Sequence, residues 1–108
     1  STPLYSSAAS DVYKRQKFRL GNNYPNPFNP ETTIEFSVPE QSEVMFKIYN
    51  ILGEEMYQMQ DENLSSGVYR VRWNGVNKFG VQVPSGIYFY QLKAGDSFIQ
   101  TKKMTLLK

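Results

Sequence analysis

Apolar and polar residues alternate through most of the chain after residue 31. In the run TTIEFSV, every second residue from Ile34 to Val38 is apolar. A period of two is typical of a half-buried β-strand, because successive side chains of a strand point to opposite faces. Runs of this kind predict seven strands, at residues 32–38, 42–50, 54–60, 67–73, 80–83, 86–94 and 97–108. No segment has the spacing of an amphipathic helix.

Turn residues separate the predicted strands about every ten residues. Gly53 lies where a hairpin loop needs a positive φ, so residues 54–60 are expected to return antiparallel to residues 42–50. The glycines assigned to turns are Gly53, Gly67, Gly75 and Gly80. Short strands with frequent turns predict an all-β fold, specifically a seven-stranded antiparallel immunoglobulin-like β-sandwich over residues 32–108.

A short internal repeat helps to locate the interior of this sandwich. SSGVY and PSGIY each place a glycine two residues before a tyrosine at the start of a strand. We expect Gly67 and Gly86 to adopt a positive φ or to allow a close backbone approach. Tyr69 and Tyr88 are expected to bury their rings while their hydroxyls bond to backbone. The run IYFY is apolar on both faces and predicts a central strand, and Trp73 is predicted to lie in the core.

Residues 17–31 form a lead-in that is rich in proline and asparagine. Pro25, Pro27 and Pro30 each fix φ near about −65° and remove an amide donor, which discourages both helix and sheet pairing. We therefore expect an extended, accessible and unpaired segment, for which a rigid linker of polyproline character is the simpler interpretation. The motif of this lead-in consists of Pro25, Asn26, Pro27, Phe28, Asn29 and Pro30.

Residues 1–16 differ in character from the rest of the chain. Small residues dominate, and the apolar positions have no period. Residues 6–16, SSAASDVYKRQ, resemble the translation of a sequencing adapter, codon for codon. We therefore expect residues 1–16 to be a disordered artefact at the start of a metagenomic fragment, and we exclude them from the fold.

Composition excludes several kinds of chemistry. The chain has 108 residues, no Cys, no His and a formal net charge of +2, which suits one small domain. Without His or Cys there is no histidine base, no thiolate nucleophile and no ordinary zinc site. The balanced charge argues against a nucleic-acid surface, and no apolar run approaches the roughly 20 residues of a membrane span. We expect no cofactor and no enzymatic activity.

Three local patterns leave room for other functions. The acidic residues could supply a glycosidase pair, although most lie at outward strand positions or in turns. Asn74 and Asn77 suggest a calcium loop, but the carboxylates of such a loop are lacking and asparagine is common in turns. A sugar-binding platform could be formed by Tyr57, Tyr69, Tyr88 and Tyr90. Core packing is the favoured interpretation of these tyrosines.

Several longer motifs together resemble one known family. They are YPNPFNPETTIEFSVPE, VMFKIYNILGEEM, SSGVYRVRWNGVNKFGVQVPSGIYFYQLKAGD and TKKMTLLK. In this order they look like the type A C-terminal sorting domain of the type IX secretion system, over residues 20–108. The middle part, WNGVNKFGVQVPSGIYFYQL, is also similar to the Ig-like domain of the flagellar hook-capping protein. The proline-rich lead-in and the final KKMTLLK favour the sorting domain.

The resemblance implies a non-enzymatic secretion signal. Such a domain directs an exported cargo protein from the periplasm through an outer-membrane translocon, with the help of a shuttle protein. A surface sortase-like peptidase then cleaves it off, and the cargo stays at the cell surface or is secreted. The domain is expected to be monomeric, without membrane insertion. A structural Ig-like module and a small carbohydrate-binding sandwich remain as alternatives.

The resemblance also indicates where recognition is expected. The residues are Gly86, Tyr88, Lys102, Lys103, Met104, Leu106, Leu107 and Lys108. Gly86 and Tyr88 have an equally good structural reason to be present, namely the maintenance of the fold. The two adjacent lysines suit either recognition or the protection of an exposed sheet edge against aggregation.

Overall fold

The computed structural model describes residues 17–108, so the expectations for residues 1–16 lie outside the described part of the chain. Two antiparallel sheets pack face to face and confirm the all-β, seven-stranded immunoglobulin-like sandwich. One sheet has the order β1-β2-β5 and the other β4-β3-β6-β7. The strands are β1 (Arg19–Leu20), β2 (Thr32–Val38), β3 (Ser42–Asn50), β4 (Glu55–Leu64), β5 (Gly67–Trp73), β6 (Gly86–Ala94) and β7 (Phe98–Leu106).

The core lies between the two sheets and follows the predicted alternation. The inward residues of β2 and β3 are fully buried: Ile34, Phe36, Val38, Val44, Phe46 and Ile48. The Phe36 and Phe46 rings stack across the two sheets, with centroids 6.4 Å apart. As predicted, β6 is a central strand, between β3 and β7, and Trp73 is buried. Within residues 17–108, no helix is long and apolar enough to cross a membrane.

Residues 80–83, predicted as a strand, are a loop instead. The β-pairing of these residues is limited to one isolated bridge, between Val76 and Gln82. The Asn77 side-chain oxygen accepts the amides of Phe79 and Val81 at 2.9 and 3.0 Å, so these donors close a turn and are not available to a neighbouring strand. β4 instead extends through residues 61–64, which were expected to form a loop.

The lead-in is part of the sandwich, so the expectation of an unpaired linker is wrong. Its first half pairs with β2, where the Gly21 amide donates to the Glu35 carbonyl at 2.7 Å. Its second half reaches β7, where the Phe28 amide donates to the Thr105 carbonyl at 3.0 Å. The prolines remove only their own donors, and between them the Phe28 amide and the Asn26 side-chain oxygen both bond to the backbone of β7.

A buried tyrosine fixes the lead-in to the opposite sheet. The Tyr90 hydroxyl donates to the Gly21 carbonyl at 2.9 Å and accepts the Asn23 amide N–H at 3.0 Å. The Asn23 side-chain amide donates in turn to the Thr32 hydroxyl at 3.1 Å, and that hydroxyl donates to the Pro25 carbonyl at 2.9 Å. Buried polar groups of the lead-in are thereby satisfied within the fold.

Phe28 supplies the apolar part of this attachment, and its removal tests whether the lead-in stabilises the fold. Its side chain is only 1% exposed, and its ring lies 5.9 Å from that of Trp73. We expect Phe28→Ala to lower the free energy of unfolding by about 3–5 kcal/mol, since it leaves a cavity between the sheets. Tyr24→Ala is the matched control, because Tyr24 is 80% exposed in the same segment, and it should change stability by less than about 0.5 kcal/mol. Equal denaturation midpoints for the two variants would contradict the integrated lead-in.

The Tyr90 hydroxyl predicts a loss of stability in alkali. Burial raises the pKa of Tyr90 above its ordinary value of 10.0, and the hydrogen bond from Asn23 partly offsets this. The unfolded chain therefore loses the proton first, so stability is complete below pH about 10 and falls as the pH rises through the folded pKa. The free energy of unfolding should therefore begin to drop near pH about 10 and should continue to drop as the pH rises above that value.

Tyr90→Phe separates this titration from the other tyrosines. The variant should be less stable at neutral pH by about 1–3 kcal/mol, since it leaves the buried Asn23 amide unsatisfied. Between neutral and alkaline pH, the free energy of unfolding of the variant should decrease by less than that of the wild type. An identical alkaline loss, measured by urea denaturation, would show that Tyr90 does not carry the effect.

Candidate functional site

The start of β6 carries the first two residues for which recognition was expected. Gly86 has a φ of +153°, a region that glycine favours, as predicted. The Tyr88 hydroxyl donates to the Pro84 carbonyl at 2.6 Å, and the Tyr69 hydroxyl donates to the Ser65 carbonyl at the same distance. The sequence repeat is therefore a structural repeat. The prediction for Gly67 is wrong, because this residue has no positive φ and begins β5 rather than lying in a turn, and a Cβ there would meet the Tyr69 ring at 3.3 Å rather than backbone.

Tyr88 lies in the core of the sandwich rather than on its surface. The side chain is 3% exposed, and its ring meets that of Trp73 with centroids 5.4 Å apart. Burial raises the pKa of the Tyr88 hydroxyl, which stays protonated at neutral pH. Its contacts position the start of β6, where Gly86 and Tyr88 also contribute to the lining of a surface cleft.

The remaining expected residues lie on β7 or directly after it, at Leu107 and Lys108, and they differ in exposure. Met104 and Leu106 are fully buried and attach the strand to the core. Lys103, Leu107 and Lys108 are exposed, and Lys102 is partly buried. Because inward and outward positions alternate along a strand, Lys102 shares the inward side of β7 with Met104 and Leu106, and its ammonium reaches the margin of the sandwich, whereas Lys103 points outward. Met104 and Leu106 cannot meet a partner without unfolding the sandwich.

β7 is an edge strand with a partly open backbone. Thr105 turns its backbone away from β6, since its amide donates to the Asn26 side chain at 3.1 Å and its carbonyl accepts from Phe28. By the alternation of an antiparallel ladder, Ile99, Thr101 and Lys103 also turn their amides and carbonyls away from β6. Within residues 17–108 these groups have no backbone hydrogen bond on that side.

The charge beside this edge is positive. The Lys102 ammonium donates to the Asn22 side-chain oxygen at 3.0 Å, which is a neutral partner. The ion pairs in the described part of the chain involve Lys47, Lys78, Arg70 and Arg72, so neither lysine of the KK pair has a carboxylate partner there. Two uncompensated cations next to free backbone groups favour an extended partner that carries acidic residues.

The other candidate sites have structural roles in this fold. The Asn77 side-chain oxygen is used by the amides of its own turn, and residues 17–108 contain no cluster of three or more acidic, His or Cys side chains suited to a metal. Tyr88 and Tyr90 are buried, while Tyr57 and Tyr69 pack against the core from its margin. The four tyrosines therefore do not form an exposed platform for a sugar.

Comparison with known proteins identifies one family. Residues 22–106 match the profile of the secretion system C-terminal sorting domain. No curated protein matches the chain.

Solved structures of similar fold include two from Porphyromonas gingivalis. Dimeric latent PorU aligns with a TM-score of 0.65 and 17% identity, covering 85% of this chain and 10% of PorU. PorZ, a surface component of the type IX secretion system, aligns with a TM-score of 0.56 and 23% identity, covering 95% of this chain and 13% of PorZ. The chain thus spans a small fraction of either protein.

The hook-capping protein FlgD from Xanthomonas campestris also shares the fold, with a TM-score of 0.55 and 14% identity, covering 93% of this chain and 74% of FlgD. At such identities these similarities show the fold alone. The family match is more specific, and it confirms the resemblance recognised in the sequence motifs. Because that match extends over most of the chain, the protein belongs to the family of secretion system C-terminal sorting domains.

Proposed function

We propose that this chain is the signal that takes an exported cargo protein across the outer membrane through the type IX secretion system. The match of residues 22–106 to the sorting-domain family is the observation that carries this proposal. In this function the sandwich folds on its own core and serves as an address, with no catalytic step of its own. The translocon, a shuttle protein and a surface peptidase are its partners.

The open edge of β7 is the surface that we assign to recognition. A partner strand can add to a sheet edge through main-chain hydrogen bonds, which give affinity without demanding a particular sequence. Ile99, Thr101 and Lys103 offer the free backbone groups, and the lysines at 102 and 103 add a preference for acidic partners. Met104 and Leu106 hold the strand in register from the buried side.

Cleavage of the domain from its cargo belongs upstream of β1 in this proposal. A peptidase needs an extended and accessible backbone, and exposed segments with few hydrogen bonds are the usual sites of proteolysis. The lead-in offers little such backbone, because it is bonded to β2 from Arg19 to Tyr24 and to β7 at Phe28. We infer that the peptidase acts before Arg19 and releases the whole sandwich.

A structural role like that of the hook-capping protein is the second candidate. The shared fold with FlgD favours it, since the chain aligns with most of that protein. It differs from the sorting proposal in one measurable respect, because a structural module gives no export to a foreign cargo.

A reporter fusion tests the sorting proposal. A fluorescent protein with an N-terminal export signal and the 108-residue chain at its C-terminus should reach the surface or the medium of a host with a type IX system. It should arrive shortened by the mass of the domain. If the fusion stays in the periplasm of a competent host, the sorting proposal fails and the structural role replaces it.

Charge reversal tests the assignment of the β7 edge. Lys102→Glu combined with Lys103→Glu should leave the stability within about 1 kcal/mol, since surface substitutions change it little, and should reduce surface arrival of the reporter. The control is Arg70→Glu combined with Arg72→Glu, which makes the same change in charge at exposed positions of β5, away from the β7 edge and from the proposed cleavage point. Normal export of a folded β7 variant would mean that the lysines only protect the edge.

A further inference from the structure

Two loops at one end of the sandwich contain the same turn. The first has the sequence NILG and the second NKFG. In the first, the Gly53 amide donates to the Asn50 carbonyl at 3.0 Å, and in the second the Gly80 amide donates to the Asn77 carbonyl at 2.9 Å. Both glycines have nearly the same positive φ, +84° and +80°. We call this pair of loops the twin turns, residues 50–54 and 77–81.

The asparagine side chains make both turns rigid in the same way. The Asn50 side-chain oxygen accepts the amides of Leu52 at 2.9 Å and Glu54 at 2.8 Å. The Asn77 oxygen accepts the amides two and four residues later at 2.9 and 3.0 Å. The amides of Asn50 and Asn77 also donate to the carbonyls of Glu54 and Val81, at 3.0 and 2.8 Å. Each turn is therefore held by at least four hydrogen bonds of one asparagine, so its tip loses little freedom when a partner binds.

Each turn presents a large apolar side chain to solvent. Leu52 and Phe79 occupy the same position in their turns and are 78% and 80% exposed. Ile51 and Val81, beside them, are also exposed. Isolated exposed apolar residues are ordinary, but several on two rigid loops at one end of a small domain mark an interaction surface.

A cleft lies beside the twin turns. Its volume is about 420 Å³, and its lining includes Ile51, Leu52 and Asn77 together with Met56 and Pro84. Protruding apolar side chains beside a recess fit a partner protein that has matching pockets and a matching protrusion. Buried apolar anchors of this kind carry most of the binding energy in protein interfaces.

The surface lies at the end of the sandwich remote from the point where the chain enters it. Phe18 stacks on Phe98 at the start of β7, next to the β6–β7 turn. The twin turns follow β3 and precede β6, at the opposite end of those strands. A cargo joined upstream of Lys17 would therefore leave them unobstructed.

The charges near the turns favour a protein over a lipid surface. Lys78 is 3.9 Å from the Glu55 carboxylate, and the Glu54 carboxylate accepts the Asn50 side-chain amide at 2.6 Å. The surface thus carries both signs of charge, whereas binding to anionic lipid requires an excess of Lys and Arg.

We propose that the twin turns are a docking surface for a protein of the secretion machinery that receives Leu52 and Phe79 in two apolar pockets. This inference rests on the proposed function and adds a second contact, which is apolar where the β7 edge offers backbone groups and positive charge. Such a docking surface explains why two turns with the same hydrogen bonds hold apolar side chains in exposed positions.

The reporter fusion with the full chain tests this surface. Leu52→Ser combined with Phe79→Ser should keep the denaturation midpoint of the wild type and reduce surface arrival by about tenfold or more, as expected for the loss of interface anchors. Tyr24→Ser is the matched control, because Tyr24 is as exposed as Phe79 but lies outside the twin turns, and it should export normally. Failure of the wild-type fusion defeats the proposed function and this inference with it. If the wild-type fusion is exported and the folded double variant is exported equally well, the docking surface is contradicted while the proposed function stands.

Three further measurements test the role of Asn77 and decide which partner occupies the surface. Asn77→Ala should reduce export, and Asn77→Asp, which keeps the acceptor oxygen, should restore it. Binding of the purified chain to vesicles of anionic phospholipid that is lost in the Leu52/Phe79 variant would overturn the proposal in favour of a membrane. Concentration-dependent dimers in sedimentation, abolished by the same variant, would overturn it in favour of self-association.

Discussion

The Tyr90 hydroxyl joins the two halves of this small domain. It projects from a central strand of the four-stranded sheet and bonds to two backbone groups of the lead-in, at Gly21 and Asn23. The lead-in is itself paired with the other sheet, so one side chain connects both sheets through the core. A domain of this size has a limited apolar core, which makes such a connection, together with the burial of Phe28, important for its stability.

This arrangement changes how a sorting domain can be understood physically. The chain belongs to an exported protein and carries its address as a closed sandwich in which the proline-rich segment is structural. The prolines limit the number of amides that need partners, and the amides of Gly21, Tyr24 and Phe28 are bonded to β2 and β7. Two of the surfaces that stay available to other proteins are the open part of the β7 edge and the twin turns at one end of the sandwich.

Much of the fold could be predicted from the sequence, because it depends on local periodicity. The inward residues of β2 and β3, the central position of β6 and the hydroxyl contacts of Tyr69 and Tyr88 all follow from alternation and from the repeated Gly-x-Tyr pattern. Residues 80–83 also alternate, but side-chain bonds within the NKFG turn take up the amides that a strand would need. The pairing of the lead-in could not be predicted, since its partners Glu35, Tyr90 and Thr105 are distant in sequence and nothing local indicates them.

The candidate site was predictable to a similar extent. The motifs located β7 and its lysines, but only the three-dimensional register shows which backbone groups face away from β6. The likeness of NILG and NKFG was visible in the sequence, yet its meaning depends on the exposure of Leu52 and Phe79 and on their position at the same end of the sandwich. Short motifs of this kind become informative when the fold brings them together.

Native-state hydrogen exchange, measured by NMR, tests the integrated lead-in most directly. The amides of Gly21, Asn23 and Phe28 should exchange with the same opening free energy as the core amides of β3 and β6, because the lead-in can open only when the sandwich unfolds. Exchange of these three amides through a local opening of much lower free energy, while β3 and β6 stay protected, would show that the lead-in is a separable arm and would contradict this account.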